Sequence, residues 1–116
     1  MEKQIEVILS EEANDVYIYL KQNSLNSKED RMLVDAIERI FQIIKREPFH
    51  GVPIAKKKIP KYYKERYGTR SLFRIELPLF WRMLYTVRGQ EIKIISFIVD
   101  ILDHKKYNKK FGYRNK

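Results

Sequence analysis

The residues of this 116-residue chain whose types could do chemistry fall late in the sequence: Arg74, Glu76, Arg82, His104 and Tyr107. A guanidinium fork suits a phosphate, because its paired N–H donors match two phosphate oxygens. A carboxylate or an imidazole can take up or deliver a proton, and a phenol can stack on a base or donate a hydrogen bond. A proton acceptor, cations for growing negative charge and a proton donor are together what acid–base chemistry at a phosphate ester needs. The chain has no cysteine, which removes thiolate catalysis and sulfur ligands for zinc. His50 and His104, its two histidines, stand 54 positions apart with no carboxylate at ligand spacing, so no bound metal and no other cofactor is expected.

A second signal is cationic. Residues 1–47 carry seven Lys/Arg against ten Asp/Glu, net −3, whereas residues 48–116 carry seventeen against five, net +12, which together give the overall +9. Within the basic half, Lys56, Lys57, Lys58, Lys61, Lys64, Arg66 and Arg70 are interleaved with Tyr62, Tyr63 and Tyr67. Lysines and arginines so gathered bind phosphates without regard to sequence, and tyrosines between them offer stacking surfaces. Lys56, Lys57, Lys58, Lys61, Arg70 and the later Lys105 are the expected RNA-binding residues.

The elements that must position these groups follow from periodicity. Ile5, Val7 and Leu9 alternate as a first strand over residues 4–9, and Ser10 can cap a helix whose first turn holds Glu11 and Glu12. That helix has the stripe Ala13, Val16, Tyr17 and Leu20 and should end near Asn23. Ser27 with Asp30 resembles a capping box for a second helix with its face at Leu33, Ile37, Ile40, Phe41 and Ile44, closed by Pro48. Residues 49–68, with Gly51, Pro53 and Pro60, read as a loop holding at most a short helix.

Three extended segments follow over residues 71–77, 81–87 and 92–99, the last two joined by Arg88-Gly89-Gln90-Glu91, and residues 103–111 can form a short helix. The expectation is a single α+β domain over residues 1–116: an N-terminal strand, a two-helix hairpin, an antiparallel three-stranded meander completing a small twisted sheet, and a C-terminal helix. Strand alternation puts Phe73, Ile75, Leu77, Trp81, Met83, Tyr85 and Val87 toward the helices and Arg74, Glu76 and Arg82 on the opposite, exposed face. The longest apolar stretch, residues 94–99, is far short of the roughly 20 residues a bilayer span needs. Nor does Met1-Glu2-Lys3 open a signal peptide, so a soluble cytoplasmic protein without membrane contact is expected.

The ordered set Leu72-Phe73-Arg74-Ile75-Glu76-Leu77, Trp81-Arg82-Met83-Leu84-Tyr85, Ile94-Ile95-Ser96-Phe97-Ile98 and Asp103-His104-Lys105-Lys106-Tyr107 resembles the C-terminal half of RelE/ParE toxins, and the preceding strand, helices and basic loop share that family's order. The resemblance implies the toxin of a type II toxin-antitoxin system, an endoribonuclease that cuts ribosome-bound mRNA without metal and is held inactive by a small acidic antitoxin. It matches Arg82 to the family's arginine on the scissile phosphate, Arg74 to a basic position on the preceding strand, Tyr107 to the aromatic residue near the C-terminus and His104 to a histidine or arginine of some members. Glu76, with His104, is then the candidate base or acid. Three departures stand out: Glu76 replaces a lysine, residues 54–59 lack the glutamate that other members use, and Pro78-Leu79-Phe80 replaces a Gly-Asp turn.

The same residues have plainer readings. Glu76 can be a surface ion pair with its arginines, His104 can pair with Asp103, and Tyr107 and Phe111 can dock a helix on the core. Two other functions stay open alongside the nuclease: a non-catalytic RNA- or ribosome-binding protein, and a ParE-like toxin that poisons gyrase.

Overall fold

Ser10 performs two tasks that fix the start of the fold. Its Oγ accepts the Ala13 N–H at 3.0 Å, capping α1 (Glu11–Asn23), and donates to the Val99 carbonyl at 2.8 Å, fastening that helix to the far side of the chain. The computed structural model describes residues 3–90 and 92–113; Glu91 of the expected turn lies outside them. Helix α2 (Lys28–Arg46) begins with Ser27 accepting the Asp30 N–H at 3.2 Å. Only this half of the expected box forms, because the Ser27 N–H donates to the Asn23 carbonyl instead.

The sheet contains β1 (Gln4–Leu9), β2 (Val52–Pro53), β3 (Phe73–Glu76), β4 (Arg82–Gly89) and β5 (Lys93–Leu102) in the order β1-β5-β4-β3-β2. The meander β3-β4-β5 is antiparallel as its alternation predicts, while β1 lies parallel to β5 and β2 adds a two-residue edge. Helices α3 (Lys61–Tyr67) and α4 (His104–Phe111) complete the α+β architecture. Among the described residues no helix is long and apolar enough to cross a membrane.

Both faces of the sheet are covered. Ala13, Leu20, Leu33, Ile37 and Ile44 of α1 and α2 pack on Ile75, Met83, Tyr85, Ile98 and Ile101. The opposite face, expected to be exposed, buries Leu72, Leu84, Val99 and Leu102 beneath Tyr63 of α3 and Tyr107 of α4. Arg74, Glu76 and Arg82 therefore occupy the open end of a covered face. Residues 49–68, expected to be mainly loop, contain α3 because Gly68, at φ +62°, supplies the left-handed stop that a helix C-terminus favours.

A bulge serves this second core. Leu84 pairs with Asp100 and Tyr85 with Ile98, so Val99 is the extra residue and the side-chain phase of β5 shifts. Val99 and Asp100 consequently both meet the α3 side, where the Tyr63 hydroxyl donates to Asp100 Oδ2 at 2.9 Å. Tyr63 is fully buried, which excludes it as a stacking surface for RNA. Tyr62 is also engaged, donating to Glu12 beneath the Lys110 ammonium, and Tyr67 packs edge-on to Phe97. The interleaved tyrosines thus hold α3 in place.

Burial pushes the Asp100 carboxyl above its ordinary range, opposed by the Tyr63 hydrogen bond and by Lys110. A raised acid pKa means that the folded state holds the proton more tightly than the unfolded chain. Stability is then highest below the ordinary carboxylate value and falls as pH rises through the folded one. Tyr63→Phe removes the donor and widens that gap. It should cost about 1–3 kcal/mol at pH 7 and clearly less at pH 4, as read from urea melts at both. Equal losses at the two pH values would show that Asp100 ionisation does not contribute to the effect.

Candidate active site

Pairing of β3 with β4 sets Glu76 directly opposite Arg82, and Arg74 lies two positions along β3 on the same face. Glu76 bridges the two guanidinium groups: its Oε1 is 3.1 Å from Arg74 Nε and its Oε2 2.9 Å from Arg82 Nε. Both Nε atoms are buried and neither makes a hydrogen bond of good alignment. They are donors gathered around one anion that satisfies them imperfectly. The carboxylate is the more exposed partner at 57%, against 33% for Arg74 and 13% for Arg82, so it can yield its place to an entering anion.

The floor of the cluster comes from α4. Asp103 caps this helix by accepting the Lys106 N–H at 2.8 Å, rather than pairing with His104. Because α4 follows β5 at once, and Leu102 pairs with Arg82, the helix returns over the arginines. The Tyr107 ring lies 4.9 Å from Arg82 Cζ and stacks on Phe111 at 4.4 Å. Its hydroxyl accepts from Arg74 Nη1 at 3.0 Å, which raises the Arg74 pKa further and keeps that group charged. Tyr107 is 3% exposed. It orients two cations and has no free face to offer a base.

His104 is exposed at the first position of α4, with Nε2 3.2 Å from Asn108 Nδ2 and its ring 5.8 Å from that of Phe80. Phe80 in turn accepts from Arg82 Nη1 through its backbone carbonyl, so imidazole and guanidinium share one end of the cluster.

The cationic residues divide by position. Lys58 joins Arg74, Tyr107 and Tyr113 around a hollow of about 290 Å³, floored by residues 52–55. Lys56 and Arg70 line a second hollow of about 460 Å³ with Lys64, Gly68 and Thr69. Lys57 shares the 3-10 turn Lys56–Lys58, and Lys61 is exposed and paired with Glu65 at 3.4 Å. Lys105 projects from α4 and lines neither hollow. Tyr113 was not expected in this groove. It is brought there by Gly112, whose φ of +74° ends α4 and turns the chain back, a long-range placement for which the sequence offers only the glycine.

No family model and no curated protein matches the sequence. Among solved structures, a YoeB/ParE toxin from Agrobacterium tumefaciens superposes with a TM-score of 0.60, over 85% of this chain and 98% of its own, at 16% identity. The chain has the RelE/ParE toxin fold. In this example of the RelE/ParE fold the cluster of Arg74, Glu76, Arg82 and Tyr107 sits at the open end of the sheet, beside the lysine-lined hollow.

If Glu76 occupies the seat of an anion, Glu76→Gln frees the two arginines for phosphate. The variant should elute from heparin at higher salt than the parent and melt at a lower temperature, because the largely buried Arg82 loses its anion. Unchanged elution would show that the carboxylate does not guard the arginines.

Proposed function

We propose that this protein is the toxin of a toxin-antitoxin pair, an endoribonuclease that cleaves mRNA on the ribosome. The observation that carries the reading is the pair of guanidinium groups focused on one exposed carboxylate, with buried Nε donors left poorly satisfied, beside a hollow lined by Lys58. A phosphodiester fits that seat by charge and by donor geometry.

In the proposed reaction the scissile phosphate displaces Glu76 from Arg74 and Arg82. The freed carboxylate takes the proton of the 2′-hydroxyl, whose oxygen attacks phosphorus. The bond to the 5′-oxygen breaks and His104, as general acid, supplies that oxygen with a proton, leaving a 2′,3′-cyclic phosphate and a 5′-hydroxyl. The two arginines hold the charge that develops on the phosphoryl oxygens, and Tyr107 keeps them in position. Lys56, Lys57, Lys58, Lys61, Arg70 and Lys105 contribute sequence-independent attraction to RNA, with the steep salt dependence this entails. The partner is an acidic antitoxin, partly disordered alone, that folds along the basic half and covers the groove.

Added to a purified translation system, the protein should suppress reporter synthesis. Arg82→Ala should lose about 10²–10³-fold of that potency, the usual effect of removing a group that stabilises developing charge. DNA supercoiling by gyrase should proceed undisturbed. Supercoiling blocked while translation continues would replace this reading with the gyrase-directed one.

A further inference from the structure

The connection between β3 and β4 is built against backbone preference. The Trp81 N–H donates to the Pro78 carbonyl at 3.3 Å, closing a tight turn whose two central residues, Leu79 and Phe80, have φ of +60° and +62°. Hairpin turns with positive φ at both centres strongly favour Asn-Gly, because a Cβ crowds the backbone there and only glycine, or a short polar side chain that bonds locally, adopts it readily. Bulky residues such as Leu79 and Phe80 are strained in that region. The side chains recover little of this by packing, since Leu79 is 48% and Phe80 71% exposed. Strain of this kind, with an aromatic ring held in solvent, calls for a use outside the folded chain.

The location supplies one. The Phe80 carbonyl accepts from Arg82 Nη1, and the Phe80 ring is tilted at 55° to His104, 5.8 Å away between centroids. Tyr107, whose residue type also suits base stacking, is buried under the arginines. Phe80 is therefore an exposed aromatic ring at the His104 end of the anion seat, more open at 71% than Tyr113 at 48% on the Arg74 side. We infer that Phe80 is a stacking platform for a nucleobase next to the phosphate held by Arg74 and Arg82, with the strained turn fixing the ring in place. The inference rests on RNA being the ligand of that seat. Stacking accepts any base, so the platform would contribute affinity and strand placement with little sequence choice.

The test uses uncleavable 2′-O-methyl hexanucleotides, either complete or with one base removed at successive positions, and fluorescence anisotropy at low salt. For the parent protein, removal at one position should weaken binding about ten-fold, as expected for one stacked base. Phe80→Ala should lose the same factor with the complete strand and nothing further with that abasic one, while Phe80→Trp should bind like the parent. The double variant Leu79→Asn/Phe80→Gly should bind like Phe80→Ala yet melt at a higher temperature, which separates lost contact from lost fold.

Parent-like binding by Phe80→Ala to complete and abasic strands, with Arg82→Ala still weakening both, would overturn the platform, leave the RNA reading intact and point to a protein partner on Phe80. Unweakened binding by Arg82→Ala as well would overturn the phosphate seat and the proposed function with it.

Discussion

Arg82 keeps only 13% of its side chain exposed, and a cation so placed in a strand must have an anion within reach or it destabilises the fold. Glu76 meets that requirement across the strand pair, and in doing so draws in Arg74 from two positions away. The three leave a net charge of +1 over the Tyr107 ring, which is packed beneath them. Much of the site's geometry follows from this neutralisation. The β3–β4 register cannot slip by one residue without separating Glu76 from Arg82, and α4 cannot leave without exposing Tyr107 and releasing Arg74.

The second core explains why the cluster is partly covered instead of lying on an open sheet. The bulge at Val99 lets two successive β5 residues face α3, one apolar and one acidic, and the acidic one receives the Tyr63 hydroxyl. That buried pair, with the packing of Tyr62, Tyr63 and Tyr67, anchors a helix made of charged and tyrosine residues. On the opposite edge, the Tyr85 hydroxyl receives the Gly51 N–H at 2.8 Å and donates to the Pro48 carbonyl at 2.9 Å. A Cβ on Gly51 would meet that ring at 2.9 Å, so glycine is what lets the loop close down and lead into β2 and the Lys56–Lys58 turn.

The sequence made the local features of this fold legible and left the distant ones obscure. Ser10, Ser27 and Pro48 mark helix ends because capping and proline geometry act within a few residues, and the meander shows itself by period-two alternation. The parallel pairing of β1 with β5 joins positions about ninety residues apart, and β2 is too short to have a period. Helix α3 was legible only as a short helix that the loop could hold, because its apolar anchor is a tyrosine among lysines, which reads equally well as a nucleic-acid surface. At the site, strand phase made it legible that Arg74, Glu76 and Arg82 share one face, while their roles came only from the family resemblance. The spacing of Tyr107 and Phe111 left docking on the core open as one of two readings, which the landing of α4 decides, whereas the exposure of Phe80 depends on the handedness of a turn and was not legible.

Mapping of 5′ ends by primer extension on a defined, translated message asks whether the proposed grip of Arg74 and Arg82 on mRNA operates within the ribosome. Cuts should fall inside the codon occupying the ribosomal A site, depend on translation and vanish with Arg82→Ala. An intact message under active translation, or cuts that persist unchanged in the Arg82→Ala variant, would contradict that grip.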